Sequence, residues 1–225
     1  MKKLPTIHAR RLLGEGTRFP VEQLDLEFSN GEKRTYERLP GSGRGAVIIV
    51  PMRDAETVLL VREYVCGLHA YELGLPKGRL ERGEDVLEGA NRELKEEVGV
   101  GAHRLSILRT LSLAPTYMAH VTHVVLAEDL YPERLEGDEP EELEVVPWRL
   151  DQLHELVERE DVTEGRSIAA LFLAREPTWE GWLEALREAG DGKLNGPALQ
   201  HRDAVVTPVG VGQHGDLVLD RIGAA

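Results

Sequence analysis

The sequence predicts an α/β sandwich, with strands on both sides of an acidic helix and a small antiparallel β subdomain in front. Three observations predict it. Short alternating runs open the chain, aliphatic and β-branched runs follow, and later stretches carry helical periodicity. The first runs lie at 7–13, 21–28 and 33–39, and Asn30-Gly31 between the last two is a hairpin signal. A sheet this thin does not fold alone, so it packs on the main domain or on another subunit. Gly41 to Gly45 reads as a hinge. The runs at 46–50, 57–62 and 71–75 lead into a helix at 84–97. Strands are expected at 103–113, 121–127 and 143–146, and amphipathic helices at 151–158 and 164–175. The second of these carries Ile168, Leu171 and Phe172 on one face. Beyond 176, a helix is expected at 178–189, then a Gly-rich extension over 190–225 with a strand at 216–222, which either decorates the surface, the preferred reading, or covers a dimer edge. The chain thus divides into 1–43, 44–176 and 177–225.

Composition narrows the function. The 225 residues are 41% hydrophobic and 30% charged, ordinary for a globular protein, and the net charge is −13. An acidic balance disfavours nucleic acid as a partner, because that needs a cationic footprint. A small anionic substrate stays possible where bound cations invert the local potential. The single cysteine, Cys66, allows no internal disulfide and is expected to fill a strand end. No apolar run approaches membrane-spanning length and no signal peptide is visible, so a cytoplasmic protein is expected.

The helix at 84–97 carries the chemistry. At about 100° per residue, Val86, Leu87, Ala90, Leu94 and Val98 fall within roughly 120° and form the buried face. Glu97 projects inside that arc, Glu93 falls about 20° beyond its edge, and Glu96 lies further round. Glu93 and Glu97 are neighbours on adjacent turns, where like charges repel, and burial adds a desolvation cost. An acidic helix commonly faces water. Glu97 within the apolar arc argues instead for a bound hard cation such as Mg²⁺, which seeks carboxylate oxygens. Gly78 and Gly83 allow a tight loop before the helix, and Gly99 stands where a left-handed terminator belongs.

This stretch resembles the Nudix box. Gly78, Glu84, Arg92, Glu93, Leu94, Glu96, Glu97, Gly99 and Val100 fill all nine fixed places over twenty-three residues. The resemblance implies the Nudix fold, a mixed β-sheet sandwiched between helices. It also implies Mg²⁺-dependent hydrolysis, with Mn²⁺ a substitute, of a nucleoside diphosphate linked to another moiety. It makes Glu93, Glu96, Glu97 and the Lys77 carbonyl the metal ligands, and makes Glu84 the ion-pair partner that orients Arg92. Residues 20–175 resemble more narrowly the ADP-compounds hydrolase branch, near the ADP-ribose pyrophosphatases. The phrases at 26–31, 62–64, 71–74, 130–133 and 137–141 carry that likeness, which also implies a homodimer built through the N-terminal sheet.

The second acidic cluster, 136–144, reads by itself as an exposed loop, and the resemblance implies that one of its glutamates handles metal or water and supplies a base near the metal. Glu139 and Glu141 align best, spacing leaves both open, and Glu139 is preferred. Arg62 and Glu72, at strand ends, are candidates for adenine, ribose or phosphate contacts. Tyr117 and His120 are candidates for the terminal sugar, and Pro115 resembles a substrate-class marker. Each of these positions also suits an ordinary surface or turn residue. The expected activity is hydrolysis of ADP-ribose to AMP and ribose 5-phosphate, with NADH and diadenosine polyphosphates as further substrates. The alternatives are another nucleotide substrate, such as a nucleotide sugar or damaged triphosphate, or a noncatalytic ADP-ribose sensor.

Overall fold

The computed structural model describes residues 6–13, 20–41 and 43–175. The expected helix at 178–189 and strand at 216–222 lie outside the described residues. Strands β1 (Thr6–Leu13), β2 (Val21–Glu27) and β3 (Lys33–Arg38) form an antiparallel sheet in that order. The turn between β2 and β3 closes as its sequence suggests, with the Asn30 side chain accepting from the Glu32 N–H. Of the described residues in these strands only Leu24 is buried, while Ile7, Leu12, Leu13 and Tyr36 are exposed. The segment expected to be a hinge is preceded by a fastening. Leu39 N–H donates to the Tyr117 carbonyl, and the Leu39 carbonyl accepts from Ala119 N–H.

The main domain is built from two sheets. One has the order β7 (Lys77–Arg79), β4 (Ala46–Pro51), β9 (Val121–Pro132), β8 (Val100–Ser112), and β4 runs parallel to β9. The other is antiparallel, in the order β10 (Glu144–Arg149), β5 (Thr57–Val65), β6 (Ala70–Gly74). The unbroken apolar runs in β4 and β5 are explained by burial on both faces. Val47, Ile49, Leu59 and Val61 pack with Ala90 and Leu94 of α1 (Val86–Glu97). Their alternates Ile48, Val50, Val58 and Leu60 pack with residues of α2 (Leu153–Val157) and α3 (Gly165–Arg175). Helices therefore cover both sides of the strands, as expected. No helix among the described residues is long and apolar enough to cross a membrane.

Several boundaries differ from the pattern for physical reasons. Helix α1 starts at Val86 rather than Glu84, because the Asp85 carboxylate caps it by accepting from the N–H groups of Leu87 and Glu88. Strand β7 was not anticipated, since three residues with a central glycine carry no periodicity. Strands β8 and β9 exceed the expected 103–113 and 121–127, because half-exposed ladder residues blur the apolar alternation. Strand β10 continues through Pro147, which an edge strand tolerates. The expected helix at 151–158 is a 3-10 turn, Leu150–Gln152, followed by the short α2. Cys66, expected to fill a strand end, lies exposed in the turn after β5.

Leu94 is fully buried between α1 and the strands. Leu94→Ala is expected to cost about 2–5 kcal/mol of stability. Urea denaturation of the metal-free protein measures it.

Candidate active site

The phase of α1 is set by the core, and its C-terminal end carries the carboxylates with it. Glu97 is 8% exposed and Glu93 9%, so both are buried alongside Ala90 and Leu94. The edge strand β7 lies against them. A Cβ built on Gly78 would stand 2.0 Å from the Glu93 carboxyl carbon, so glycine is required here by close approach rather than by a turn. Gly99, at φ +79°, is the left-handed terminator that its position suggested. The Lys77 main chain meets Glu97 through its N–H, which donates to Oε2 at 3.1 Å.

Arg92 organises the other side. Its guanidinium grips Glu84 with two hydrogen bonds, 2.8 Å and 3.0 Å, so the expected ion pair is present. Its Nη1 also donates to Glu93 (2.9 Å) and Glu96 (3.0 Å), and Nη2 donates to the Arg79 carbonyl (3.1 Å). Glu84 foremost, and then Glu93, raise the guanidinium pKa further against the opposing effect of burial. Burial dominates at the carboxylates. It raises Glu93 against the pull of Arg92, and pushes Glu97 up to about 8 against the pull of Lys77.

Glu93, Glu96 and Glu97 line a cleft of about 440 Å³ whose other wall is the segment 134–143. The two acidic clusters seen in the sequence are thus brought together. Within the segment Glu139 and Glu141 part company. Burial, then Glu63 and Asp138, raises the Glu139 carboxyl. The Glu141 carboxylate accepts a hydrogen bond from the Tyr71 hydroxyl, which ties the loop to β6.

The structure does not bring Arg62, Glu72 or Tyr117 into the lining of this cleft. Arg62 is taken by Glu144 (2.9 Å) and Asp161 (2.6 Å). The buried Glu72 carboxylate accepts from the N–H (3.0 Å) and hydroxyl (2.8 Å) of Thr163. Tyr117 is 55% exposed in the connection between β8 and β9. The sequence reading missed Glu63, whose carboxylate holds the Lys77 ammonium and acts on both Glu97 and Glu139. Its signal was present, since Leu59, Val61 and Glu63 alternate along the face of β5 that meets α1.

Among the described residues no three carboxylate, imidazole or thiol side chains converge as a ready metal cage. Arg92 stands between Glu93 and Glu96. The donor chemistry still fits a hard divalent cation. The donors are carboxylate oxygens, and burial of Glu93 and Glu97 makes their charge costly without a compensating cation.

A mixed sheet with an acidic helix and acidic loop facing one cleft suits the handling of phosphates through divalent metal. A NUDIX domain model matches residues 43–172, and a model of the NudE-type Nudix hydrolase N-terminal domain matches residues 5–38. The chain belongs to the Nudix family and is a Nudix pyrophosphohydrolase. It is 51% identical over 180 residues to the ADP compounds hydrolase NudE of Escherichia coli (strain K12), covering 80% of this chain and 94% of that protein. It is 31% identical over 153 residues to the ADP-ribose pyrophosphatase of Bacillus subtilis (strain 168), covering 67% and 80%. A crystal structure of an ADP compounds hydrolase matches with a TM-score of 0.73 at 48% identity, covering 83% of this chain and 97% of that one.

The raised Glu97 carboxyl has a consequence for stability. A group with a folded pKa near 8 and an ordinary value of 4.5 binds its proton more tightly in the fold than in the unfolded chain. In EDTA this group is therefore expected to destabilise the protein progressively as pH rises from 4.5 to about 8. Glu97→Gln is expected to flatten that dependence and raise the melting temperature at pH 8, while turnover falls on the order of a hundredfold or more. Calorimetric melts in EDTA and assays with divalent metal measure the two effects.

Proposed function

We propose that the chain hydrolyses the pyrophosphate bond of ADP-linked compounds with Mg²⁺, Mn²⁺ being a substitute. ADP-ribose is the leading substrate, giving AMP and ribose 5-phosphate, and NADH and diadenosine polyphosphates are further ones. The observation that carries the reading is the buried pair Glu93 and Glu97, facing the Glu139 segment across one cleft. The named activities of the Escherichia coli and Bacillus subtilis relatives support the substrate class. A cytoplasmic setting is part of the same reading.

Glu93, Glu96, Glu97 and the Lys77 carbonyl would hold the metal. When bound, divalent cations neutralise phosphate oxygens and acidify water. Arg92, clamped by Glu84, keeps Glu93 and Glu96 in place. Glu139 accepts the proton of the attacking water; burial, which raises its pKa, makes it a stronger base than a solvated carboxylate. The water oxygen bonds to phosphorus, and the bridging P–O bond breaks to release the second phosphate. Glu141 serves as the loop anchor through Tyr71.

Residues 1–43 form a β subdomain that joins two copies into a homodimer, 44–176 form the hydrolase domain, and 177–225 form an extension. Support for the dimer is the thin N-terminal sheet, with Ile7, Leu12, Leu13 and Tyr36 exposed.

Incubation with ADP-ribose and Mg²⁺ is expected to yield AMP and ribose 5-phosphate in equal amounts by chromatography; absence of both products refutes the reading. Glu139→Gln is expected to lower kcat by about 10²–10⁴-fold, and Glu141→Gln by less than about tenfold. In sedimentation, a chain beginning at Arg44 is expected to be monomeric.

A further inference from the structure

Lys77 brings a positive charge to the carboxylate cleft, and the strand that carries it does not require one. Strand β7 is held to β4 by backbone pairing at Lys77, Gly78 and Arg79. The Lys77 N–H donates to Glu97 Oε2 at 3.1 Å. The side chain takes part in neither contact. It reaches Glu63 of β5, where the ammonium donates to the carboxylate. With 22% and 23% of these two side chains exposed, their charges are poorly screened by solvent.

The ammonium is felt across the cleft. At Glu97 burial favours the protonated acid, and the Lys77 charge is the largest influence against it. At Glu139 burial, Glu63 and Asp138 act in one direction and Lys77 opposes them. Arg92, on the other side, is committed to Glu84, Glu93 and Glu96. The two cations differ in kind. The Arg92 guanidinium is gripped by a fork of hydrogen bonds to Glu84. The Lys77 ammonium is a compact charge on a flexible four-carbon stem, so it can withdraw while the backbone stays in place. Glu63 keeps it paired when it does.

We propose that Lys77 is a displaceable internal counterion: docked on Glu63, its ammonium balances Glu97 and Glu139, and a divalent cation binding those carboxylates has to drive that charge back. Lys77 is thus a positioning residue that touches no reacting atom and lowers the affinity of the metal site. The inference rests on the metal-site reading above. It concerns the side chain, whereas the carbonyl of the same residue is the atom assigned to the metal. Two positive charges that share one set of carboxylates repel, so each weakens the hold on the other. The exchange keeps buried carboxylates balanced with or without metal, which spares the fold an unpaired buried charge.

The test measures Mn²⁺ binding by electron paramagnetic resonance in the full chain stripped of metal, as wild type, Lys77→Met, Lys77→Gln and Lys77→Arg. The first two variants keep the backbone N–H and carbonyl and remove the charge. Both are expected to bind Mn²⁺ about tenfold more tightly, with Lys77→Arg within about twofold of the wild type. A side chain that only braced the fold would give the reverse, weaker binding once it is cut. Loss of the ammonium also leaves Glu63 unpaired, so the comparison is repeated in a Glu63→Gln background. There the tightening is expected to persist; its disappearance assigns it to the freed Glu63 charge and overturns the counterion. Equal or weaker Mn²⁺ binding by Lys77→Met and Lys77→Gln also overturns it. Glu97→Gln separates the two readings. Binding lost in Glu97→Gln but unchanged in Lys77→Met and Lys77→Gln overturns the counterion and leaves the metal site standing. No binding by the wild type, or equal binding by Glu97→Gln, overturns both.

Discussion

The site depends on the helical phase that core packing imposes on α1. Ala90 and Leu94 are fully buried against β4 and β5, and no rotation of the helix keeps them there while moving Glu97 out. Glu97 shares their arc and takes the same low-dielectric surroundings. Ionising a carboxyl there is costly, which is why burial outweighs the Lys77 ammonium in setting its proton affinity. Gly78 completes the constraint. With any side chain at that position, Glu93 would have to leave its place or β7 would have to leave β4.

The cations around the cleft follow a common plan. Arg92 is held from outside by Glu84 and reaches inward to Glu93 and Glu96. Lys77 is held from outside by Glu63 and acts inward on Glu97 and Glu139. Each outer acid limits the rotamers of its base, so the inner contact costs little further ordering. The inner carboxylates are positioned without being neutralised in full, and the remaining charge is what gives a divalent cation its hold.

Much of this was legible in the sequence. The wheel placed Glu97 inside the buried arc and Glu93 at its edge, because these features lie within one helix, where periodicity and geometry suffice. The pair of Glu84 with Arg92 was implied by the resemblance to the Nudix box alone. Long-range partners were not legible. Arg62 and Glu72 sit at strand ends that open to a ligand in a linear reading. The fold instead brings Asp161 and Thr163 against them from nearly a hundred positions away. Glu63 was passed over for the opposite reason, as one acid among many, although its alternation with Leu59 and Val61 gave its direction.

The union of the two acidic clusters was expected from the family resemblance rather than from periodicity, and backbone chemistry explains it. A helix ends with carbonyls that lack partners inside the helix. In α1 the Lys95 carbonyl accepts from Leu135 N–H, and just beyond the helix the Gly99 carbonyl accepts from Glu133 N–H. The ion pair of Lys95 with Glu133 reinforces the junction at 2.7 Å. The segment leaving β9 is therefore drawn onto the end of the helix that carries Glu93, Glu96 and Glu97. Residues 136–141 follow directly, and a Cβ built on Gly137 would lie 3.5 Å from the Glu96 Cβ. Pairing of β9 with β8 as far as Pro132 is what delivers the segment to that point. The acidic loop faces the acidic helix despite their mutual repulsion because the unsatisfied carbonyls and the ladder outweigh it, leaving a negative cleft that only cations can balance.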